Sequence, residues 1–238
     1  MAPLPGLMMP PGLVAPRGGY LPATLLLHFE GANGSQSFPD SSGNDLDFAA
    51  FGTGRLSTAQ ARFGTSSYFN NGGKGGGYAL GNYRELVIGT QDFTIDFWVF
   101  RVSGGGTYVD FRGQFTHWNS ARPCIESYNT QYVGYYVLGD YRITSTAPLT
   151  ANTWKHVAVT RASGTTRLFV DGVLQGSWAD STNYGCDNER PSIGYRHVNN
   201  ESSGANHING YIDELRIVVG AAEWTRDFTP PTKPYKDG

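Results

Sequence analysis

Short segments in which apolar and polar residues alternate, separated by turn residues, make up most of the chain after residue 24. In residues 93–101 large apolar side chains occupy every second position, the period of a β-strand. Residues 25–29, 154–161, 165–170 and 173–178 are further apolar segments, and the last three are separated by Ser163-Gly164 and Asp171-Gly172. Because Asp-Gly supplies the positive φ angles of a tight hairpin, residues 154–178 are predicted to form a meander.

The last strong pattern, in residues 208–219, also has a period of two. Strict alternation there places Asp213 on the same face as Leu215 and Ile217, and Glu214 on the opposite face. The residues predicted to form the core are Phe93, Ile95, Phe97, Val99, Val157, Val159, Leu215 and Ile217. No long amphipathic helix is indicated, and at most one helical turn fits residues 220–224. We therefore predict an all-β fold, an antiparallel sandwich of two sheets.

Composition narrows the class of protein. The chain has 238 residues, 13% of them aromatic, with 32 glycines and 13 prolines, so it is turn-rich and has enough large side chains for one buried core. Its 18 basic and 20 acidic residues give a net charge of −2 and are scattered, which argues against nucleic-acid binding. Since no stretch of about 18 apolar residues occurs, membrane insertion is not expected.

The N-terminal 22 residues differ in composition from the rest. They contain six prolines, four glycines and a single charge, at Arg17. Proline breaks the helix that a secretory signal needs, so this segment is interpreted as part of the mature protein. We predict an extended arm over residues 1–22, followed by one domain over residues 23–238. A disordered tail is the alternative, but the arm carries apolar anchors for a neighbouring subunit: Leu4, Leu7, Met8, Met9, Leu13 and Val14.

Several motifs carry a family resemblance: LLLHFEGANGSQSFPDSSG (25–43), FGTSSYF (63–69), DFTIDFWVFR (92–101), NTWKHVAVTRASGTTRLFVDGVLQG (152–176) and GYIDELRIVVGAAEWTRDFTPPTKPY (210–235). Over residues 25–235 the chain resembles the laminin G-like, concanavalin A-like lectin/glucanase superfamily. Its ending is similar to the version found in structural proteins of tailed bacteriophages. The resemblance implies a jelly roll, in a superfamily that includes lectins, glycosidases, adhesion modules and inert virion modules.

Two functions follow as expectations. The first is a structural virion protein, a capsid decoration or other accessory subunit, assembled in the host cytoplasm and displayed on the particle surface. Its partners would be copies of itself and other virion proteins, such as the major capsid protein or tail components. The alternative is a glycan- or receptor-binding module of a tail fibre or adhesin, with host-surface glycans as partners. The arm and the absence of a long shaft favour the first.

Catalysis is not expected from these residues. Catalytic relatives of the fold have Glu-x-Asp-x-(x)-Glu on one strand, and that motif is absent. The nearest carboxylate pair, Asp213 and Glu214, is adjacent on a strand and is therefore predicted to point to opposite faces. Nucleophile-elbow, zinc-protease and phosphate-loop motifs are also absent. The chain is predicted not to be an enzyme.

Calcium is the one cofactor that the sequence suggests. Laminin G-like domains often bind it with loop oxygens, and residues 40–45, Asp-Ser-Ser-Gly-Asn-Asp, are of suitable type. The candidate ligands are Asp40 and Asn44, with Asp213 from the last strand. The alternative is that Asp40 and Asn44 cap turns through hydrogen bonds to the backbone.

Glycan recognition requires aromatic rings beside amides and carboxylates. Two stretches supply them, and the candidate residues are Trp118, Tyr128, Tyr132, Tyr135, Tyr184, Asn188 and His197. Packing or subunit contact is the alternative role for these side chains. The two cysteines, Cys124 and Cys186, are too few for a disulfide scaffold, and we expect two independent thiols, although a bridge between them stays open.

Overall fold

The computed structural model describes residues 20–112, 121–185, 191–196 and 206–238. Sixteen strands occur within these ranges: β1 Leu25–Leu27, β2 Ser37–Phe38, β3 Phe48–Gly52, β4 Arg55–Ser57, β5 Ser67–Asn71, β6 Gly75–Ala79, β7 Phe93–Ser103, β8 Thr107–Asp110, β9 Cys124–Tyr128, β10 Tyr132–Val137, β11 Asp140–Thr144, β12 Trp154–Ala162, β13 Thr165–Val170, β14 Val173–Ala179, β15 Ser192–Ile193 and β16 Asn209–Val219.

The strands form two antiparallel sheets of eight strands each. Sheet A has the order β14-β13-β12-β7-β16-β5-β4, and β1 also pairs with β16. Sheet B has the order β11-β10-β9-β8-β15-β6-β3-β2. The two inner faces enclose one apolar core, so the predicted all-β jelly-roll sandwich is confirmed.

The predicted core is also confirmed. All eight residues named for it from periodicity belong to one buried cluster, and none is more than 1% exposed. The meander has the predicted turns, because Asp171 and Gly172 have φ angles of 51° and 77°. The helical turn considered for residues 220–224 does not form. Within the described residues the helical segment is a 3₁₀ turn at Arg84–Leu86, and no helix there is long and apolar enough to cross a bilayer.

Strand β16 departs from strict alternation at one point. Its pairing with β7 is interrupted between Asp213 and Arg216 by a β-bulge, and Glu214 has a φ angle of +51°. The extra residue shifts the register, so that Ile212 and Leu215 both face the core, while Asp213 and Glu214 both contact groups on the outer face of sheet A. The prediction that these two carboxylates point to opposite faces was therefore wrong.

The outer face of sheet A is covered by the two ends of the described chain. Residues 220–238 cross it without regular structure, and the Phe228 N–H donates to the carbonyl of Gly172. Residues 20–22, assigned from sequence to the arm, also pack here. Leu21 is buried beside Val218, and its N–H donates to Glu223 at 2.9 Å. Residues 1–19 lie outside the described residues, together with all six predicted anchors of the arm.

Candidate functional site

The outer face of sheet B carries a group of polar side chains around Glu126. Alternation along β9 turns Ile125 into the core and Glu126 outward. The Glu126 carboxylate accepts hydrogen bonds from the Tyr141 hydroxyl at 2.9 Å, the Thr107 hydroxyl at 3.1 Å and the Asn206 amide at 3.2 Å. These donors come from separate strands and from the segment before β16, so the carboxylate joins four parts of the chain.

An arginine lies between Glu126 and a second carboxylate. Arg112 donates to both oxygens of Asp110, from Nε at 2.9 Å and from Nη2 at 3.1 Å, and its Nη2 lies 3.6 Å from Glu126 Oε2. All three side chains are at most 4% exposed. Burial lowers the pKa of Arg112, but Cys124 and the two carboxylates raise it by more, so the guanidinium stays charged.

Cys124 lies in the same group, and its Sγ accepts a hydrogen bond from Arg112 Nη2 at 3.0 Å. Burial raises the pKa of the Cys124 thiol well above its usual value. The sulfur is therefore a neutral packing group, because a reactive cysteine needs a thiolate and access to solvent. It is a free cysteine in the described residues, and Cys186 lies outside them.

Tyrosine rings extend this polar group toward β10 and β11. The Tyr141 ring packs edge-on against Tyr128 at 5.0 Å and against Tyr136 at 5.1 Å between ring centroids. Gly134 makes this possible, since a Cβ at that position would lie 2.5 Å from the Tyr141 ring. We call the set Asp110, Arg112, Cys124, Glu126, Tyr128, Tyr136 and Tyr141 the sheet B floor.

The predicted glycan residues divide into three groups. Tyr128 and Tyr132 are half-buried in β9 and β10, with Tyr128 on the floor. Tyr135 and Tyr184 lie in the core, at most 1% exposed, and their hydroxyls are hydrogen-bonded at 2.9 Å. Neither ring is available to a ligand on the floor.

The remaining three, Trp118, Asn188 and His197, lie outside the described residues. Their segments begin or end beside the floor. Residues 113–120 follow Arg112, residues 186–190 lead into β15 beside β8, and residues 197–205 end at Asn206, which donates to Glu126. The glycan site stays a prediction.

The proposed calcium ligands are engaged in hydrogen bonds. Asp40 accepts from the N–H groups of Leu26, Ser42 and Leu46 at 2.9–3.1 Å and from the Ser42 hydroxyl at 2.7 Å. The Asn44 side chain donates to the carbonyl of Thr24 at 2.9 Å. These contacts are those of the turn-capping interpretation. No group of three or more His, Cys, Asp or Glu among the described residues is arranged to hold a metal ion, and calcium at this turn stays a prediction.

Asp213, the third candidate ligand, lies in the bulge of β16. Its Oδ2 accepts from the N–H groups of Arg62 at 2.6 Å and Phe63 at 3.2 Å. Burial raises the pKa of Asp213 to about 8, although these N–H groups lower it in part. Neighbouring Glu214 binds His28 through Oε1 at 2.6 Å and the Tyr235 N–H through Oε2 at 3.0 Å. Asp213 and Asp40 therefore have separate sets of partners.

Two pairs of carboxylates each lie on one face of a sheet. Asp213 and Glu214 are on the outer face of sheet A, and Asp110 and Glu126 are on the outer face of sheet B. A glycosidase needs one carboxyl group free to protonate the leaving group and a second free to attack or to activate water. In both pairs the oxygens bind N–H or O–H donors, and the second pair shares the Arg112 guanidinium. Sequence analysis missed this second pair, because its members lie on different strands and only the pairing of β8 with β9 brings them together.

A second aromatic surface lies on the outer face of sheet A. Trp154, Phe100, Tyr211 and Phe69 are directly opposite one another on β12, β7, β16 and β5, and Arg55 on β4 ends the row. Successive ring centroids are 5.5, 5.7 and 4.6 Å apart, and the Arg55 guanidinium lies 5.0 Å from the Phe69 ring. We call this row the sheet A ladder. Cross-strand aromatic pairs of this kind stabilise a sheet.

The fold and the floor define a class of protein, a two-sheet jelly roll with a polar and aromatic outer face. A family model described as the concanavalin A-like lectin/glucanases superfamily, laminin G 3, matches residues 71–225. The chain therefore belongs to this superfamily. No curated protein matches the chain in sequence. The tailed-phage type of the domain stays a prediction.

Solved structures with the same fold include carbohydrate-active and toxin proteins. Domain 4 of AbnA, an extracellular arabinanase of Geobacillus stearothermophilus solved with arabinotriose, is 19% identical, with a TM-score of 0.61 over 85% of this chain and 95% of that one. Botulinum neurotoxin type C, whose cell entry depends on two ganglioside molecules, is 16% identical, with a TM-score of 0.59 over 87% of this chain and 49% of that one. A mutant Trypanosoma rangeli sialidase is 12% identical, with a TM-score of 0.60 over 91% and 32%. At these identities the likeness concerns the fold alone.

Proposed function

We propose that the chain is a non-catalytic glycan-binding module and that the sheet B floor is its binding surface. The observation that carries the proposal is the position of this floor. Three segments that contain Trp118, Asn188 and His197 begin or end beside Glu126 and its neighbours. Small-molecule sites combine aromatic side chains with a few fixed polar groups, and the floor contains both.

The chemistry of the floor suits a neutral sugar. Sugar hydroxyls both donate and accept, and the half-buried Tyr141 hydroxyl can accept from them, whereas Asp110, Arg112 and Glu126 are at most 4% exposed and hold the tyrosines in place from below. The half-buried ring of Tyr128 offers an apolar surface to the C–H face of a sugar. The hydrogen bonds within the floor hold these groups in place before a ligand arrives, which reduces the entropy lost on binding. The complex of the arabinanase domain with arabinotriose supports the class of ligand.

Titration with arabinotriose, together with a glycan array, tests this proposal. Tyr128→Ala should weaken binding at least about tenfold, because a stacked ring contributes about 1.4 kcal/mol or more. The matched control is Trp154→Ala, which removes a half-buried ring from the sheet A ladder on the opposite side of the sandwich. A loss of binding in the control with none in Tyr128→Ala would assign the site to the ladder. Release of reducing sugar from arabinan or other glycans on the array would contradict the non-catalytic role.

A second proposal concerns attachment to a virus particle. Tyr20 and Leu21 pack on the outer face of sheet A, so the described chain begins on the side of the domain opposite to the floor. Attachment to virion proteins or to other copies of the chain through residues 1–19 would leave the floor facing outward. Deletion of residues 2–19 should give a folded domain that no longer stays on purified particles. Undiminished association of the deleted protein would exclude this form of attachment.

A further inference from the structure

A cavity of about 320 Å³ lies on the outer face of sheet A, between the chain that enters β1 and the C-terminal residues 233–238. Its walls include Tyr20, Leu21, Pro22, Leu26, Arg216 and Tyr235. The volume lies at the lower end of the range of about 300–1,000 Å³ that is usual for ligand pockets. The cavity can therefore accept a short piece of peptide or a small molecule.

The walls are mainly aromatic and aliphatic. The Tyr20 ring is 39% exposed and packs edge-on against Tyr235, with 4.8 Å between ring centroids. The Arg216 guanidinium lies 4.1 Å from the Tyr235 ring and 5.2 Å from the Tyr20 ring. Grooves lined by aromatic rings are the surfaces to which proline-rich segments bind, because the extended polyproline conformation loses little entropy on docking.

One polar group in the wall lacks a partner. Arg216 is 1% exposed, and it donates from Nε to Asp96 at 2.9 Å and from Nη1 to Glu223 at 3.1 Å. Its Nη2 has no hydrogen-bond partner in the part of the chain that the structure describes. Because two carboxylates already neutralise Arg216, a neutral acceptor suits this nitrogen better than an anion does. A backbone carbonyl is such an acceptor, and in a proline-rich segment the carbonyls are not used by helix or sheet bonds.

We propose that this cavity binds a short stretch of the chain's own proline-rich segment, residues 3–16. Nineteen residues precede Tyr20, and Tyr20 itself forms part of the cavity wall. The segment contains five prolines and the apolar side chains Leu4, Leu7, Met8, Met9, Leu13 and Val14. Gly18-Gly19 directly before Tyr20 allows the chain to reverse direction, since glycine adopts positive φ without strain.

The covalent connection favours the chain's own segment over that of a second copy. Nine residues of polyproline-like chain span about 28 Å, so residues near Pro11 can return to a cavity beside residue 20. Closing so short a loop gives an effective concentration in the millimolar range, well above that of a second molecule in dilute solution. Docking of the segment on a neighbouring subunit would then be an exchange, in which the same cavity accepts the segment of another copy.

Amide hydrogen exchange of the full chain tests the proposal, with a synthetic peptide of residues 1–19 as the reference. Exchange at residues 4–15 should be at least about tenfold slower in the protein than in the peptide. Ala23 lines the cavity, and Ala23→Phe should fill it and bring exchange to the peptide rate. Ala151→Phe, at a half-buried alanine in the turn before β12 that does not line the cavity, is the matched control and should leave the protection unchanged.

If Ala23→Phe disturbs the fold, a variant of the N-terminal segment, outside the domain, provides a second test. Replacing Leu4, Leu7, Met8 and Met9 by serine should remove the protection and also speed exchange at residues 233–238, which line the cavity. Exchange at the peptide rate in the unaltered chain would overturn the proposal, as would protection that survives both variants. Protection that falls over about a hundredfold dilution would assign the cavity to a second copy instead.

Discussion

Replacement of Arg216, on the outer face of sheet A, should strongly lower the free energy of unfolding of the domain. Its guanidinium binds Asp96 at 2.9 Å and Glu223 at 3.1 Å, and each of these side chains is at most 4% exposed. Arg216→Met preserves much of the apolar stem but leaves two buried carboxylates without their cation. Breaking a buried ion pair in this way costs about 3–5 kcal/mol, a large part of the roughly 5–15 kcal/mol that stabilises an ordinary domain.

The loss should depend on pH in a direction that identifies its cause. Burial raises the pKa of Asp96, but Arg216, together with His156 and Tyr235, lowers it by more, so its folded-state pKa is below the usual value. Arg216 is the largest of the causes that lower this pKa, so we expect the folded-state pKa of Asp96 to rise when Arg216 is replaced. The variant then gains stability relative to the unaltered protein as the pH falls, because Asp96 takes up a proton in the folded state.

Urea unfolding at about pH 7.5 and about pH 5 measures both effects, since the midpoint and slope give the free energy of unfolding. The control is Arg226→Met, at an exposed arginine of the same C-terminal segment, which should change stability by at most about 0.5 kcal/mol. Adding Asp96→Asn to Arg216→Met should restore part of the loss, because it removes the unpaired charge. A loss below about 1 kcal/mol, or one equal at both pH values, would refute the reasoning.

Three further predictions concern the core and the turns. Phe97→Ala should lower the free energy of unfolding, measured in urea, by about 3–5 kcal/mol, because the ring is buried. Lys74→Ala, at an exposed residue, should lower it by at most about 0.5 kcal/mol. Equal losses in the two variants would contradict the placement of Phe97 in the core. Burial lowers the pKa of His28, but Glu214 and Asp237 raise it by more, to about 9. Stability should therefore fall as the pH rises from about 6.5 to about 9, and a His28→Asn variant with the same slope would count against this. Asp40→Ala should cost about 1–3 kcal/mol through lost capping hydrogen bonds. A calcium-dependent rise in the melting temperature that Asp40→Ala abolishes would instead support a metal site.

Local patterns were sufficient for much of the fold. The alternation in residues 93–101 identified the core face of β7, because successive side chains of a strand point to opposite faces whatever the strand pairs with. Asp171-Gly172 identified a hairpin, because its φ requirement is met within two residues. The eight predicted core residues are buried for the same reason.

The candidate site depended on contacts between residues far apart in the chain. Periodicity alone gave no sign that Glu214 takes a positive φ angle, so the faces of Asp213 and Glu214 were assigned wrongly. The sequence also gave Tyr135 and Tyr128 the same candidate role, although β10 turns Tyr135 into the core while β9 turns Tyr128 outward.

The joining of Asp110 and Glu126 through Arg112 likewise required the pairing of β8 with β9. A one-residue change of register reverses the face of every side chain that follows, and register is set by the packing of the whole sandwich. Local sequence patterns were therefore enough for six of the sixteen described strands, β1, β7, β12, β13, β14 and β16, and for the core residues that they carry. Which polar groups meet on the outer faces depends instead on how all the strands pair, because that pairing joins residues far apart in the chain.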